Sequence, residues 1–285
     1  MMKNPISLIS IFLTQHFSVD GNFIHNEDGS EYVTRATGFL YKRNDELYLV
    51  TNLHVASGRN IFTQQTLENT GALPTSITFI PSVIDKIGQV SKTTAFELVV
   101  PLYDEQKNPL WLVHPKFKRT VDVAAIPIRL INTPLHNGEE FYCINEVSLH
   151  NDLIFEVTDD VFVVGYPYGR GSIFTTVLPI PVWKRASIAS EISVNYYLDE
   201  RPVFLIDTTT KVGMSGSPVI GIAKGVIQTT NGSLSIGSGY AMQLMGIYSG
   251  RVDGEQKDDS CLGLVWKKEL IDEIIDGNIR DEAYE

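Results

Sequence analysis

The chain has 285 residues, 43% of them hydrophobic and 20% charged, enough for one or two compact domains with a sizeable core. Its net charge of −11 argues against a nucleic-acid footprint and against attachment to an anionic membrane surface, and no apolar run is long enough to span a bilayer. Only Cys143 and Cys261 are present, too few for a disulfide ladder, so a reducing, cytoplasmic compartment is the simpler expectation.

Twelve Tyr, thirteen Phe and frequent Val, Ile and Thr, punctuated by 22 Gly and 13 Pro, favour strands and turns over helices. Residues 6–13 (ISLISIFL) have only Lys3 as a positive flank and no small-residue cleavage pattern after Thr14, so they read as the start of a strand over 6–17 and not as a signal peptide. A polar, Gly-bearing loop covers 20–31, and strands resume at Tyr32. Residues 36–55 read as a hairpin turning at Asn44 and Asp45, which delivers His54 to a strand end. Short apolar stretches near 77, from 96 and from 110 follow. The segment 132–152 is expected to cross over to a second half that opens at 161–164, and 203–206 leads into a Gly-Ser turn at 211–220. Residues 231–239 look like a long hairpin loop. At the C-terminal end, Leu270, Ile271, Ile274 and Ile275 stand at helical spacing with Gly277 as the stop, a helix docked on the core.

Three runs carry chemistry, in fixed order: TNLHV (51–55), VDVAAIPI (121–128) and KVGMSGSPVI (211–220). A serine hydroxyl is a poor nucleophile until a base takes its proton, histidine does so near neutral pH, and a buried carboxylate holds the imidazole in the right tautomer. His54, Asp122 and Ser215 are the candidates. Gly213 can adopt backbone angles closed to other residues, so the amides of Gly213 and Ser215 can turn toward one point and stabilise an oxyanion.

The order His, Asp, Ser in these runs resembles the chymotrypsin/trypsin-like serine peptidase family, in particular its disulfide-free bacterial members. VHPKFKRTVDVAAIPI (113–128), VFVVGYPYG (161–169), WKRASIAS (183–190) and MGIYSG (245–250) extend the similarity from about residue 38 to about residue 265. The resemblance implies an all-β fold of two six-stranded Greek-key barrels with a C-terminal helix. Residues 1–135 would carry His54 and Asp122, and residues 136–285 would carry Ser215. It implies hydrolysis of peptide bonds in a polypeptide substrate through an acyl-enzyme, without cofactor or metal. The alternative is a catalytically silent module, or an effector activated by a regulatory protein partner, on the same fold.

By the same resemblance the base of the pocket for the residue before the scissile bond falls at Thr209, with Ser249, Gly250 and Arg251 lining its wall. Threonine cannot stabilise a desolvated cation, so the expected preference is a neutral side chain, acidic only if Arg251 turns inward. Asp207 is the rival that would favour Arg or Lys. Ser217 stands where most relatives have Gly and is a rival hydroxyl to Ser215. Met214 replaces the Asp that pairs with a new amino terminus in zymogens of the family, which excludes activation by that salt bridge. His114 reads as structural, and His16, His25, His136 and His150 show no metal-ligand spacing.

Overall fold

Apolar alternation in the first half folds into a strongly curved sheet. The computed structural model describes every residue except 1–5, 20–21, 86, 93–95, 130–134, 136–137, 148, 168–178, 196–199, 252–260 and 285. The chain enters through α1 (Ile6–Ile9), one helical turn, and continues as β1 (Ser10–Val19), β2 (Asn22–Phe23), β3 (Val33–Arg43) and β4 (Glu46–Thr51). The strand expected over 6–17 therefore begins only at Ser10. All four α1 residues are buried, because the turn is wedged between the two halves of the molecule and lacks a solvent face that would impose an alternating pattern. Ser10 Oγ donates to the Val164 carbonyl (2.8 Å), and Trp183 Nε1 donates to Ser7 Oγ (2.9 Å). The β3–β4 hairpin turns at Asn44 and Asp45, both with positive φ (52° and 61°), the geometry of a two-residue turn matched to strand twist.

After α2 (Leu53–Ser57) come β5 (Pro74–Phe79), β6 (Ser82–Ile84), β7 (Val90–Lys92), β8 (Leu98–Pro101), β9 (Leu112–Val113), β10 (Ala124–Pro127) and β11 (Glu140–Phe141). β6, β7 and β11 form a small separate sheet. The expected crossover at 132–152 thus holds a strand, and Tyr142, Cys143 and Ile144 within it are buried; its residues 132–134, 136–137 and 148 lie outside the described residues.

The second half is a closed barrel of six antiparallel strands, β12 (Asp160–Gly165), β13 (Val182–Ile188), β14 (Val203–Asp207), β15 (Pro218–Gln228), β16 (Leu234–Arg251) and β17 (Leu262–Lys267), in the order β12-β13-β14-β17-β16-β15. Val161, Val163, Phe204, Ile206, Val219 and Val265 fill it. Where a loop was expected at 231–239, β15 and β16 continue as a two-stranded ribbon, and only residues 229–233 turn. Its Gly, Ser and Asn content conceals the strands because neither face of its outer part is covered, so no apolar alternation is required.

The chain then returns to the first half. α3 (Glu269–Gly277) buries Leu270, Ile271, Ile274 and Ile275, and its left-handed cap is Asn278 (φ 47°), one residue beyond the stop expected at Gly277. Gly277 is the last helical residue, and a Cβ there would meet Pro115 at 2.9 Å. β18 (Ile279–Arg280) pairs with β9, giving a nine-stranded first sheet with the path β18-β9-β10-β4-β3-β1-β5-β8 and β2 joined to β1. The all-β, two-barrel expectation holds, with a closed barrel on one side and a half-barrel sheet on the other.

Candidate active site

The strand β4 is buried at its end, and α2 turns the chain there so that His54 sits one residue inside a helical turn. Asp122 lies just ahead of β10 between Val121 and Val123, both fully buried, and is itself 1% exposed. Its Oδ1 accepts from the His54 backbone N–H (2.8 Å). Its Oδ2 accepts from the His54 ring Nδ1 (2.7 Å) and from Ser249 Oγ. Three donors offset the cost of burying this carboxylate. With Nδ1–H given to Asp122, Nε2 is the ring's free nitrogen, in a cleft of about 360 Å³ whose walls His54 and Ser215 share. Burial pulls the His54 imidazole down, but the charge and hydrogen bond of Asp122 outweigh it, and the net shift is upward.

The loop at 211–217 is shaped from both halves. Gly213 and Gly216 both take positive φ (97° and 83°). The Met214 N–H donates to the Lys211 carbonyl, and the Ser217 N–H donates to the Met214 carbonyl (3.1 Å). Because a trans peptide sets N–H opposite C=O, that second bond turns the Ser215 N–H the other way. Among the described residues neither the Gly213 nor the Ser215 N–H has an acceptor. From the first sheet, Thr37 N–H donates to the Ser215 carbonyl (2.9 Å) and Thr37 Oγ1 donates to the Gly213 carbonyl (2.8 Å). From the barrel, Tyr248 exchanges backbone bonds with Gly216 and Ser217 (2.9 Å each). A Cβ on Gly216 would lie 2.0 Å from the Thr37 carbonyl oxygen, so the loop and β3 approach this closely only with glycine there.

The structure therefore brings His54, Asp122, Ser215 and Gly213 together. Gly250 lines the same cleft, whereas Thr209 is exposed outside it and the neighbouring Thr210 takes its wall. Ser249, expected as a wall residue, turns its hydroxyl to Asp122 instead. Asp207 is exposed on β14 and does not line the cleft. Ser217 is 0% exposed, its Oγ in the notch left by Gly165, where a Cβ would sit 1.9 Å away, so this hydroxyl cannot meet a substrate. Met214 is buried in the barrel core. His114 is structural: its Nδ1 accepts two backbone N–H groups and its Nε2 meets Glu273 (2.7 Å).

Two residues were given no role from sequence. Asn52, fully buried, donates through Nδ2 to the Asp122 carbonyl (2.7 Å) and so ties the histidine segment to the aspartate segment. Thr37 joins the nucleophile loop to β3. Asn52 adjoins His54 in the TNLHV run, which is a signal; Thr37 is one threonine among many and offers none.

Among the described residues no group of three His, Cys, Asp or Glu is placed to hold a metal, and no helix is long and apolar enough to cross a membrane. A family model described as a trypsin-like peptidase domain matches residues 36–227. Among solved structures, the chain is similar to the active form of the Rv3671c protease from M. tuberculosis, at 17% identity over 98% of this chain and 85% of that one, with a TM-score of 0.45. It is also similar to the thermostable serine protease AL20 from an extremophilic microorganism, at 9% identity over 93% of each chain, with a TM-score of 0.44. No curated protein matches.

Proposed function

Because the chain belongs to the trypsin-like peptidase domain family, we propose that it is a serine endopeptidase whose residues 1–135 contribute His54 and Asp122 and whose residues 136–285 contribute Ser215. The observation that carries this reading is the two-point hold of Asp122 on His54, across the cleft from Ser215 and its two unpartnered amides. His54 Nε2 takes the Ser215 proton as Oγ attacks the peptide carbonyl, and the Gly213 and Ser215 N–H groups receive the negative oxygen. His54 then protonates the leaving amine. Water, deprotonated by His54, releases the acyl group from Ser215. Two free thiols, Cys143 and Cys261, support a reducing, cytoplasmic setting.

The test is treatment of the purified chain with an aryl phosphonate that phosphonylates activated serines, read by intact mass and peptide mapping. The expected result is one adduct on Ser215, absent from Ser215→Ala, which also loses peptide turnover by about 10⁴-fold or more. An adduct elsewhere, or an active Ser215→Ala protein, would overturn the assignment. An unreactive Ser215 would favour the silent or partner-activated module.

A further inference from the structure

Beside Ser215 the cleft ends on a pair of hydroxyls. Thr210 and Tyr248 are 5% and 1% exposed, both line the cleft, and their side-chain oxygens hydrogen-bond to each other. In such a pair one hydroxyl donates and the other keeps its own hydrogen. Among the described residues that second hydrogen has no acceptor. A buried donor left unpaired is costly, and a ligand atom that accepts from it recovers that cost. The floor cannot retreat, because Tyr248 packs over Gly263, where a Cβ would meet the ring at 2.7 Å. Gly250 lines the same cleft and leaves its wall open, with no described residue within 4 Å of where its Cβ would be.

Among the described residues that line the cleft, the charges have one dominant sign. Acidic residues outnumber basic ones in the chain by 34 to 23, yet of the described residues Arg35, Lys211 and Arg251 line the cleft against Glu68 as the one carboxylate. Burial pushes the Tyr248 hydroxyl up, and its hydrogen bond to Thr210 and the charge of Arg251 oppose that push. A lysine or arginine entering here would meet like charge. A carboxylate can accept from the spare hydroxyl and pair with the guanidinium together.

We infer that this pocket selects aspartate or glutamate immediately before the scissile bond, held by the Thr210–Tyr248 hydroxyl pair and Arg251. The inference rests on the peptidase reading above and replaces the neutral preference expected from sequence with the acidic one that was tied to Arg251, a residue that lines the cleft.

Aryl phosphonate probes that differ only in the side chain at the recognised position, carrying Asp, Glu, Asn, Gln, Ala, Leu or Lys, test it by their rates of Ser215 labelling on the full chain. The acidic probes should label fastest, with Glu ahead of Gln or Asp ahead of Asn by about tenfold or more. Arg251→Gln should collapse that acid-to-amide ratio. Added salt should reduce it in the unaltered protein, which keeps the test valid if the variant misfolds. If an amide, Ala, Leu or Lys probe labels as fast as its acidic counterpart, the inference falls while the peptidase reading stands. If the ratio survives both Arg251→Gln and salt, the role given to Arg251 is wrong. If no probe labels Ser215, both readings fall.

Discussion

The barrel and the first sheet satisfy their edges differently. In the barrel every strand from β12 to β17 has two neighbours within the same run of chain, so its hydrogen-bond ladder closes without help. The first sheet ends on short strands, and one of its edges, β9, is paired by β18 from the far end of the chain, while α3 packs against β9 and β10. Ser215 belongs to a loop of the closed barrel, whereas His54 and Asp122 belong to the sheet that the chain end completes. The two halves of the candidate site thus rest on foundations of different kinds. Disturbing the chain end should reach the His54–Asp122 pair first, and the barrel should tolerate change around Ser215 unless the change touches that loop's backbone.

The largest expected effect is on the pair itself. Asp122→Asn keeps the size of the side chain but removes the charge that sets the His54 tautomer, and turnover should fall by about 10⁴-fold, some 5 to 6 kcal/mol of barrier. In the unaltered protein, kcat/KM should rise with pH through an ionisation above the ordinary imidazole value, because Asp122 holds the His54 proton and the base works only after losing it. In Asp122→Asn the residual activity should rise at lower pH, since burial alone remains to act on the ring. A pH–rate profile that does not move between the two proteins would break the link between Asp122 and His54. The same upward shift means that protonated His54 stabilises the fold below the unfolded imidazole value, and that this contribution is lost as pH rises through the folded one.

How much of this was legible from sequence follows the same division. The candidate residues His54, Asp122 and Ser215 could be picked out because each sits in a short run whose residue types the proposed chemistry demands, and the Asn44–Asp45 hairpin because positive φ favours those residues. The barrel strands could be read from their apolar runs, except for the outer β15–β16 ribbon, whose uncovered faces require none. The open sheet was harder: α1 hides in a run as apolar as a strand, and β18 is two residues long, defined only by its pairing with β9. The site's supporting contacts were hidden for a related reason. Thr37, Ser249 and Thr210 act through partners far off in sequence, and hydroxyl residues look alike until the chain is folded.

The second prediction tests the chain end. Tyr284 lies between the Arg59 guanidinium, 4.4 Å from its ring centre, and the Arg119 guanidinium, 3.7 Å from it. Arg59 follows the helix that bears His54, and Arg119 precedes Asp122 and is anchored by Asp281, which also accepts from Trp111 Nε1. Tyr284→Ala should cost about 1 to 2 kcal/mol of stability and lower turnover less than about tenfold, with Tyr284→Phe restoring most of both. Thermal unfolding and steady-state kinetics on the three proteins check this. Unchanged stability in Tyr284→Ala would mean that the chain end beyond β18 does not support the first sheet.

The smallest effect is expected where the barrel meets the nucleophile. Ser217 is fully buried, and among the described residues its Oγ has no hydrogen-bond partner, so the hydroxyl has been taken from water without compensation. What Ser217 contributes to the loop is its backbone: the N–H bonded to Met214 and the carbonyl accepting from Tyr248. Ser217→Ala keeps both and keeps the Cβ, removing only the oxygen that occupies the Gly165 notch. Stability should hold or rise by up to about 1 kcal/mol, and turnover should stay within about twofold. Losing a buried, unpaired hydroxyl favours the fold, and the small void it leaves opposes that gain, which is why the expected change is slight. A collapse of activity in Ser217→Ala, with the fold intact by circular dichroism, would give the attacking oxygen to Ser217 and would require a loop conformation in which the notch at Gly165 stands empty.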